Sequence, residues 1–494
     1  MADSITDLKA KTIRGGSAKL LATAASFLLR LGSLMVLARL VQPKDFGLVG
    51  MVTALTGVLS LFRDFGLSAA TVQHANVTEK QTSTLFWINV LAGAILTLLA
   101  LLLAPAVSAF YHEPRLSGVA SAVALVFVVN GAGVQHSALL QRQMRFTALA
   151  VIDIVALVLS TGLAIAVAKA GHGYWALVTM TVSLPLATTI GLWLTAGWVP
   201  CLPQRRVGVR SMMRFGGMMT LNSIVLYAST NLEKVLIGRF WGAEAIGIYG
   251  RAYQLIRIPI DNLNSAVGEV AFSALSRIQD DPSRLRRYFL KGYSLVVVLT
   301  LPITIACALF ADDLISVLLG AKWNDAVAIF RLLAPTILVF AIANPLGWLL
   351  SAIGLVGRGV RIAVAFTPFM LAGYLIGLPF GPKGVALAYS TVMTLWCGPV
   401  VAWALHGTII SVRDILGALS RPFTATAVAG GLAFGVRSLC GVTFHPLSRL
   451  LIEGTALFIA YGAVVLSSAE QRSFYLDILR GSKLSASEKA LAPA

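Results

Sequence analysis

The chain has 494 residues, 57% of them hydrophobic and only 12% charged, with a mean hydropathy of +0.83 and a formal net charge of +18. Soluble domains carry about 25% charged residues, so the composition excludes an ordinary soluble enzyme. The basic excess points away from nucleic acid and toward a membrane protein, whose cytoplasmic loops collect Lys and Arg. In lipid every backbone polar group needs an internal partner, and a barrel would show alternating segments of roughly ten residues. The long apolar runs therefore predict an all-α polytopic membrane protein.

The polar start, with Lys9, Lys11 and Arg14, leads into a first helix with no small-residue cleavage site, which is expected to be a retained anchor. A span needs about 20 apolar residues. Fourteen candidates follow in order: 17–40, 46–70, 84–110, 116–140, 148–169, 174–199, 211–239, 245–276, 288–310, 325–353, 360–380, 384–406, 420–439 and 446–467. Their connections are short, leaving no room for a soluble domain, and the tail after Glu470 is polar. The four cysteines, Cys201, Cys307, Cys397 and Cys440, lie far apart without metal-type spacing and read as packing residues.

One stretch occurs twice. Arg39-Leu-Val-Gln-Pro-Lys-Asp-Phe-Gly47 recurs 200 residues later as Arg239-Phe-Trp-Gly-Ala-Glu-Ala-Ile-Gly247. Each copy ends an apolar helix with an Arg, turns, and enters a glycine-bearing helix. Such recurrence marks a duplicated membrane bundle, and duplicated halves in transporters commonly enclose the substrate site.

Loop charge orients the chain. With the N-terminus in the cytoplasm, 24 Lys and Arg fall on the cytoplasmic side and seven on the other, as the positive-inside rule requires. An even number of spans returns the C-terminus to the cytoplasm. Eight basic residues remain within or at the edges of spans: Arg30, Arg39, Arg63, Lys234, Arg239, Arg251, Arg257 and Arg331. A cation at a helix centre costs about 2.5–3.5 kcal/mol on the insertion scale. Arg39 and Arg239 lie near span ends and read as interfacial anchors beside the structural glycines Gly47 and Gly247; Arg331 begins its span.

Arg30, Arg63, Lys234, Arg251 and Arg257 belong to the first, second, seventh and eighth spans. Arg257 and Asp261, four apart, share a helix face and can pair. Two readings stand side by side. The charges are internal ion pairs that fasten the bundle, or they line a water-filled cavity. The carboxylates in or near those spans are Asp64, Glu233, Asp261 and Glu269, fewer than the cations, and a net-positive cavity suits an anion such as a phosphate. Asp153, alone in the fifth span, is either an ion-coupling site or a bonded buried acid. His136 and His406 lack ligand partners and read as core or interfacial. Gly354-Leu-Val-Gly357-Arg-Gly359 follows no strand and is no nucleotide fingerprint. No catalytic set stands out.

The chain also resembles a known family. Leu37-Ala-Arg-Leu-Val-Gln-Pro-Lys-Asp-Phe-Gly-Leu-Val-Gly-Met51, Asp64-Phe-Gly-Leu67, Thr84-Leu-Phe-Trp-Ile-Asn89, Asn130-Gly-Ala-Gly-Val-Gln-His136 and Gly173-Tyr-Trp-Ala-Leu-Val178 carry the likeness in the first half. Leu236-Ile-Gly-Arg-Phe240, Phe272-Ser-Ala-Leu-Ser-Arg277 and Gly320-Ala-Lys-Trp323 carry it in the second. It is similar to the Wzx-type polysaccharide flippases of the multidrug/oligosaccharidyl-lipid/polysaccharide exporter superfamily, in the branch of colanic-acid and succinoglycan exporters.

The resemblance implies two six-helix bundles in a V, over 1–200 and 201–410, with two additional spans over 411–467 and a cytoplasmic tail over 468–494. It implies a non-enzymatic inner-membrane exporter of undecaprenyl-diphosphate-linked oligosaccharide, working by alternating access, with both termini cytoplasmic. Arg30, Arg63, Lys234, Arg251 and Arg257 would then attract the diphosphate. Asp64, Asp153, Glu233 and Asp261 are the candidates for sodium or proton coupling, and no cofactor or metal is expected. The expected partners are the membrane lipid-linked oligosaccharide and the polymerase and chain-length regulator of the pathway, not nucleic acid, and the chain is expected to be a monomer. A membrane polysaccharide polymerase would need a long reactive periplasmic loop. A drug or cation antiporter would favour a carboxylate-rich cavity, and a scaffold or receptor an added soluble domain.

Overall fold

The computed structural model describes residues 24–62, 71, 78–203, 210–440 and 444–467, with the backbone alone over 210–230 and at residues 263, 265, 266, 269, 270 and 440. Regular structure among them is helical throughout. Helix α1 covers 24–40, α2 Pro43–Ser60, α3 Glu79–Tyr111, α4 Arg115–Arg142, α5 Phe146–Lys169 and α6 Tyr174–Ala196. Then come α7 Arg210–Arg277, α8 Pro282–Leu309, α9 Ala311–Leu318, α10 Asn324–Leu333, α11 Pro335–Ala352, α12 Val356–Gly377, α13 Gly381–Leu405, α14 Val412–Cys440 and α15 Pro446–Leu466. Eight stretches among the described residues are long and apolar enough to cross a membrane, one of them the run Val356–Leu405.

The breaks have local causes. Thr78 caps α3 through its side chain, and Gln81 reaches back to complete a capping box. Helix α7 is interrupted at Gly242, whose φ of 81° and ψ of −174° form a conformation essentially restricted to glycine. That break separates the spans expected at 211–239 and 245–276. The span expected over 325–353 is divided into α10 and α11. Pro335 has no amide hydrogen to donate to Arg331 O, and the amide of Ala334, bonded to Phe330 O at 3.0 Å, also reaches Arg331 O at 3.3 Å.

The helix faces are those of a protein in lipid. Along α3, Leu91, Ile95, Leu98 and Leu102 point outward, each about half or more exposed, while Asn89, Gly93, Ala100 and Ala104 point inward. An apolar face of that extent marks a membrane contact. The protein is a multi-pass helical membrane protein.

Packing groups the chain into two compact units. The first holds the chain up to Arg251 together with Leu318–Trp323 and Gly377–Val385; the second holds Ala252–Val317, Asn324–Ile376 and the chain from Ala386 onward. In the first, Gly93 and Gly131 bring α3 and α4 so close that a Cβ at either would lie 2.6 Å from a carbonyl oxygen of the other helix. In the second, Ala425, Ala429 and Ala433 of α14 form a small-residue stripe in one cluster with Val298 of α8 and Leu457 and Tyr461 of α15. Tyr461 Oη donates to Val298 O at 2.9 Å.

Candidate functional site

Within the first unit the two copies of the repeat cross. A Cβ at Gly47 would lie 1.6 Å from Ala243 O, and one at Gly247 would lie 2.0 Å from Pro43 O. Positions 43 and 243, and 47 and 247, are equivalent in the repeat, so the crossing is two-fold in construction. Only glycine allows backbone to meet backbone at this distance.

Distant segments cover the helix ends around the crossing on both copies. Trp323, fully buried, donates from Nε1 to Ala38 O at 2.9 Å, and Lys322 Nζ donates to Arg39 O at 3.2 Å. On the other copy, Gly238 fits beside the Tyr111 ring, and the Arg239 guanidinium lies 5.7 Å from the Phe110 centroid. Trp241 Nε1 donates to Leu378 O at 2.8 Å. Backbone carbonyls and aromatic rings thus meet at the end of each repeat helix, with Arg39 exposed and Arg239 partly exposed at the rim.

The charges singled out in the sequence lie in distinct places. Arg251, four residues after Gly247, stacks its guanidinium 4.2 Å from the Phe46 centroid, and Phe46 meets Trp323 edge-on at 5.3 Å. Glu233 is fully buried, and Lys234 donates to Asn231 Oδ1 at 2.8 Å. Arg30 is exposed on α1, and its charge acts on Asp153, which is exposed on α5. Arg63 and Asp64 lie outside the described residues.

In the second unit Arg257 Nη2 binds Asp261 Oδ1 at 2.6 Å, the pairing their spacing allows, and the Arg257 guanidinium lies 5.2 Å from the Phe340 centroid. Phe340 also lines a crevice with Ile260, Asn264, Thr300, Asn344 and Trp348. Gly268 lets the Trp348 indole approach α7 to a distance a Cβ would make tight, 3.0 Å.

A second charged group was not anticipated. Asp312 and Asp313 of α9 bind Arg331, Arg437 and Arg449, which the charge count had treated as interfacial or loop cations. Burial works to raise the Asp312 carboxyl, but the hydrogen bond from Arg437 and the charge of Arg331 outweigh it and hold it below the ordinary value. Two adjacent acids at the end of an apolar run were the signal available. His136 is buried, stacked on Trp193 at 4.4 Å, with Nε2 3.2 Å from Trp198 O, and is a core residue.

The helices of the described residues, with their exposed apolar faces, the internal repeat and the cations within the spans, define a multi-pass helical membrane protein. Residues 36–328 match the family model described as polysaccharide biosynthesis protein, and the chain belongs to this family. It is 30% identical to the teichuronic acid biosynthesis protein TuaB of Bacillus subtilis (strain 168), covering 81% of this chain and 83% of that protein. It is 28% identical to the lipopolysaccharide biosynthesis protein WzxC of Escherichia coli (strain K12), covering 84% of each. The fold is similar to that of the lipid II flippase MurJ in an inward closed conformation, with a TM-score of 0.73 at 14% identity, over 94% of this chain and 99% of that one. The family resemblance read from the sequence is borne out.

Proposed function

We propose that the protein is a bacterial inner-membrane flippase. It moves undecaprenyl-diphosphate-linked oligosaccharide repeat units from the cytoplasmic to the periplasmic face, supplying exopolysaccharide or lipopolysaccharide synthesis. Fourteen spans with both termini in the cytoplasm, and action as a transporter rather than an enzyme, belong to this reading. So do the roles of Arg30, Arg63, Lys234, Arg251 and Arg257 toward the diphosphate, and those of Asp64, Asp153, Glu233 and Asp261 in ion coupling. The observation that carries it is Arg251: a cation inside a span of a polysaccharide-biosynthesis protein, stacked on Phe46 directly beside the glycine crossing. A guanidinium binds phosphate oxygens through paired N–H donors. An anionic headgroup reaching Arg251 would compete with the Phe46 ring and thereby load the crossing.

The test is export in the native host. Arg251→Ala is expected to abolish polymer output with protein level unchanged, and Arg251→Lys to retain little, because an ammonium lacks the planar fork. Normal output from Arg251→Ala overturns the assignment.

A further inference from the structure

In the second unit, where α8 ends and α9, α10, α14 and α15 meet, three acids face three arginines. Asp312 Oδ2 accepts from Arg331 Nη2 at 2.7 Å and from Arg437 Nη2 at 2.8 Å. Arg331 also donates to Ala308 O at 3.1 Å, and Arg437 to Leu309 O. Both thereby cap the C-terminal end of α8, where the helix dipole is negative. Asp313 is fully buried, and Arg449 Nε reaches its two oxygens at 2.9 and 3.0 Å.

The third acid is different. Glu453 stands one turn beyond Arg449 on α15 and is fully buried, yet neither carboxylate oxygen has a hydrogen-bond partner among the described residues. Arg437, Asp313 and Arg449 are the charged groups whose fields reach it. Arg437 Nη1 and Nη2 are engaged with Leu309 O and Asp312, and Arg449 Nε and Nη2 with Asp313. An ionised carboxylate buried without a donor is costly, and such a group resolves the cost by taking up a proton. A metal ion is a poorer occupant: Asp313 spends both oxygens on Arg449, and no group of three or more acidic, His or Cys side chains able to hold a metal occurs among the described residues.

We propose that Glu453 is a proton-binding site coupled to the Asp313–Arg449 pair. With Asp313 holding Arg449, Glu453 carries the proton on a carboxylate oxygen. When that proton passes to water, the new carboxylate recruits Arg449 from the same helix face. This takes donors from Asp313 and loosens the joint of α15 with α9. The inference concerns the attachment of the last two helices and does not depend on what the protein transports.

The test is thermal unfolding of the purified full chain in detergent across pH, native against the neutral polar Glu453→Gln and against Glu453→Met, an apolar replacement of similar volume. A folded state that holds a proton which the unfolded chain has released loses stability as pH rises. The native midpoint is therefore expected to fall relative to that of Glu453→Gln as pH rises from about 4.3, the value of a carboxyl in the unfolded chain. Near pH 7 the variant is expected to match or exceed the native midpoint. Midpoints lowered by both replacements at every pH, or pH slopes identical to the native one, overturn the proposal, since an ionised Glu453 serving as a fixed partner gives those results.

Discussion

Gly47 and Gly247 carry a constraint that no other side chain satisfies. A methyl at either position overlaps a backbone carbonyl of the opposite helix, so the helices must part by more than an ångström. Overpacking of a tight contact costs roughly 1–3 kcal/mol. Gly47→Ala and Gly247→Ala are each expected to lower the thermal midpoint of the purified protein. The double variant should cost clearly less than the sum, because one separation of the helices relieves both clashes. Additive losses would show that the two contacts are independent. Both glycines were visible in the sequence as a matched pair, and so was the four-residue spacing of Arg257 and Asp261. Asp313 and Arg449, 136 residues apart, were not. Local periodicity reports which residues share a helix face; it carries nothing about which distant helix that face meets.

At the scale of elements, helix starts and stops follow from local chemistry, whereas helix partnerships depend on ties across long sequence distances. One such tie lies ahead of the apolar run of α14. Arg286 of α8 binds Asp414 through Nη2 at 2.6 Å and Nε at 3.1 Å, and Ser411 donates its backbone amide to the same carboxylate. The Arg286 hydrogen bonds, followed by that amide, push the Asp414 carboxyl down to about 2. Since the unfolded value is about 3.9, the stabilisation is complete above that pH and is lost as pH falls toward about 2. Arg286 is half exposed, so Asp414→Asn is expected to cost only about 0.2–1 kcal/mol near neutrality. The difference from the native protein, followed by thermal melts, should shrink as pH is lowered below about 4. A constant difference across that range would show that lost packing, not charge, is responsible.

At the scale of the whole molecule, the asymmetry of Lys and Arg along the chain predicts the orientation in the bilayer. His172, in the α5–α6 connection, and Ser283, at the start of α8, are both exposed and fall on opposite sides in that scheme. In a cysteine-free background, His172→Cys is expected to react with a membrane-impermeant thiol reagent in intact cells whose outer membrane has been permeabilised. Ser283→Cys should react only after the inner membrane is opened. The reverse pattern would invert the topology, and with it the direction of transport proposed for the chain.

The sequence by itself determined the medium, the helical class, the duplication and the family. Each of these follows from composition or from short-range pattern: a chain so poor in charge cannot be dissolved in water, and lipid leaves its backbone little choice but helix. Tertiary structure alone decided what the singled-out residues do. It turned the twin Arg stretches into a two-fold crossing beside which Trp323 bonds Ala38 across 285 positions. It set Arg251 on Phe46, and it gathered three arginines, counted from the sequence as span-edge or loop charge, around Asp312, Asp313 and Glu453. These contacts join elements up to 285 residues apart, and only the packing of the whole chain selects among the many pairings that the sequence leaves open.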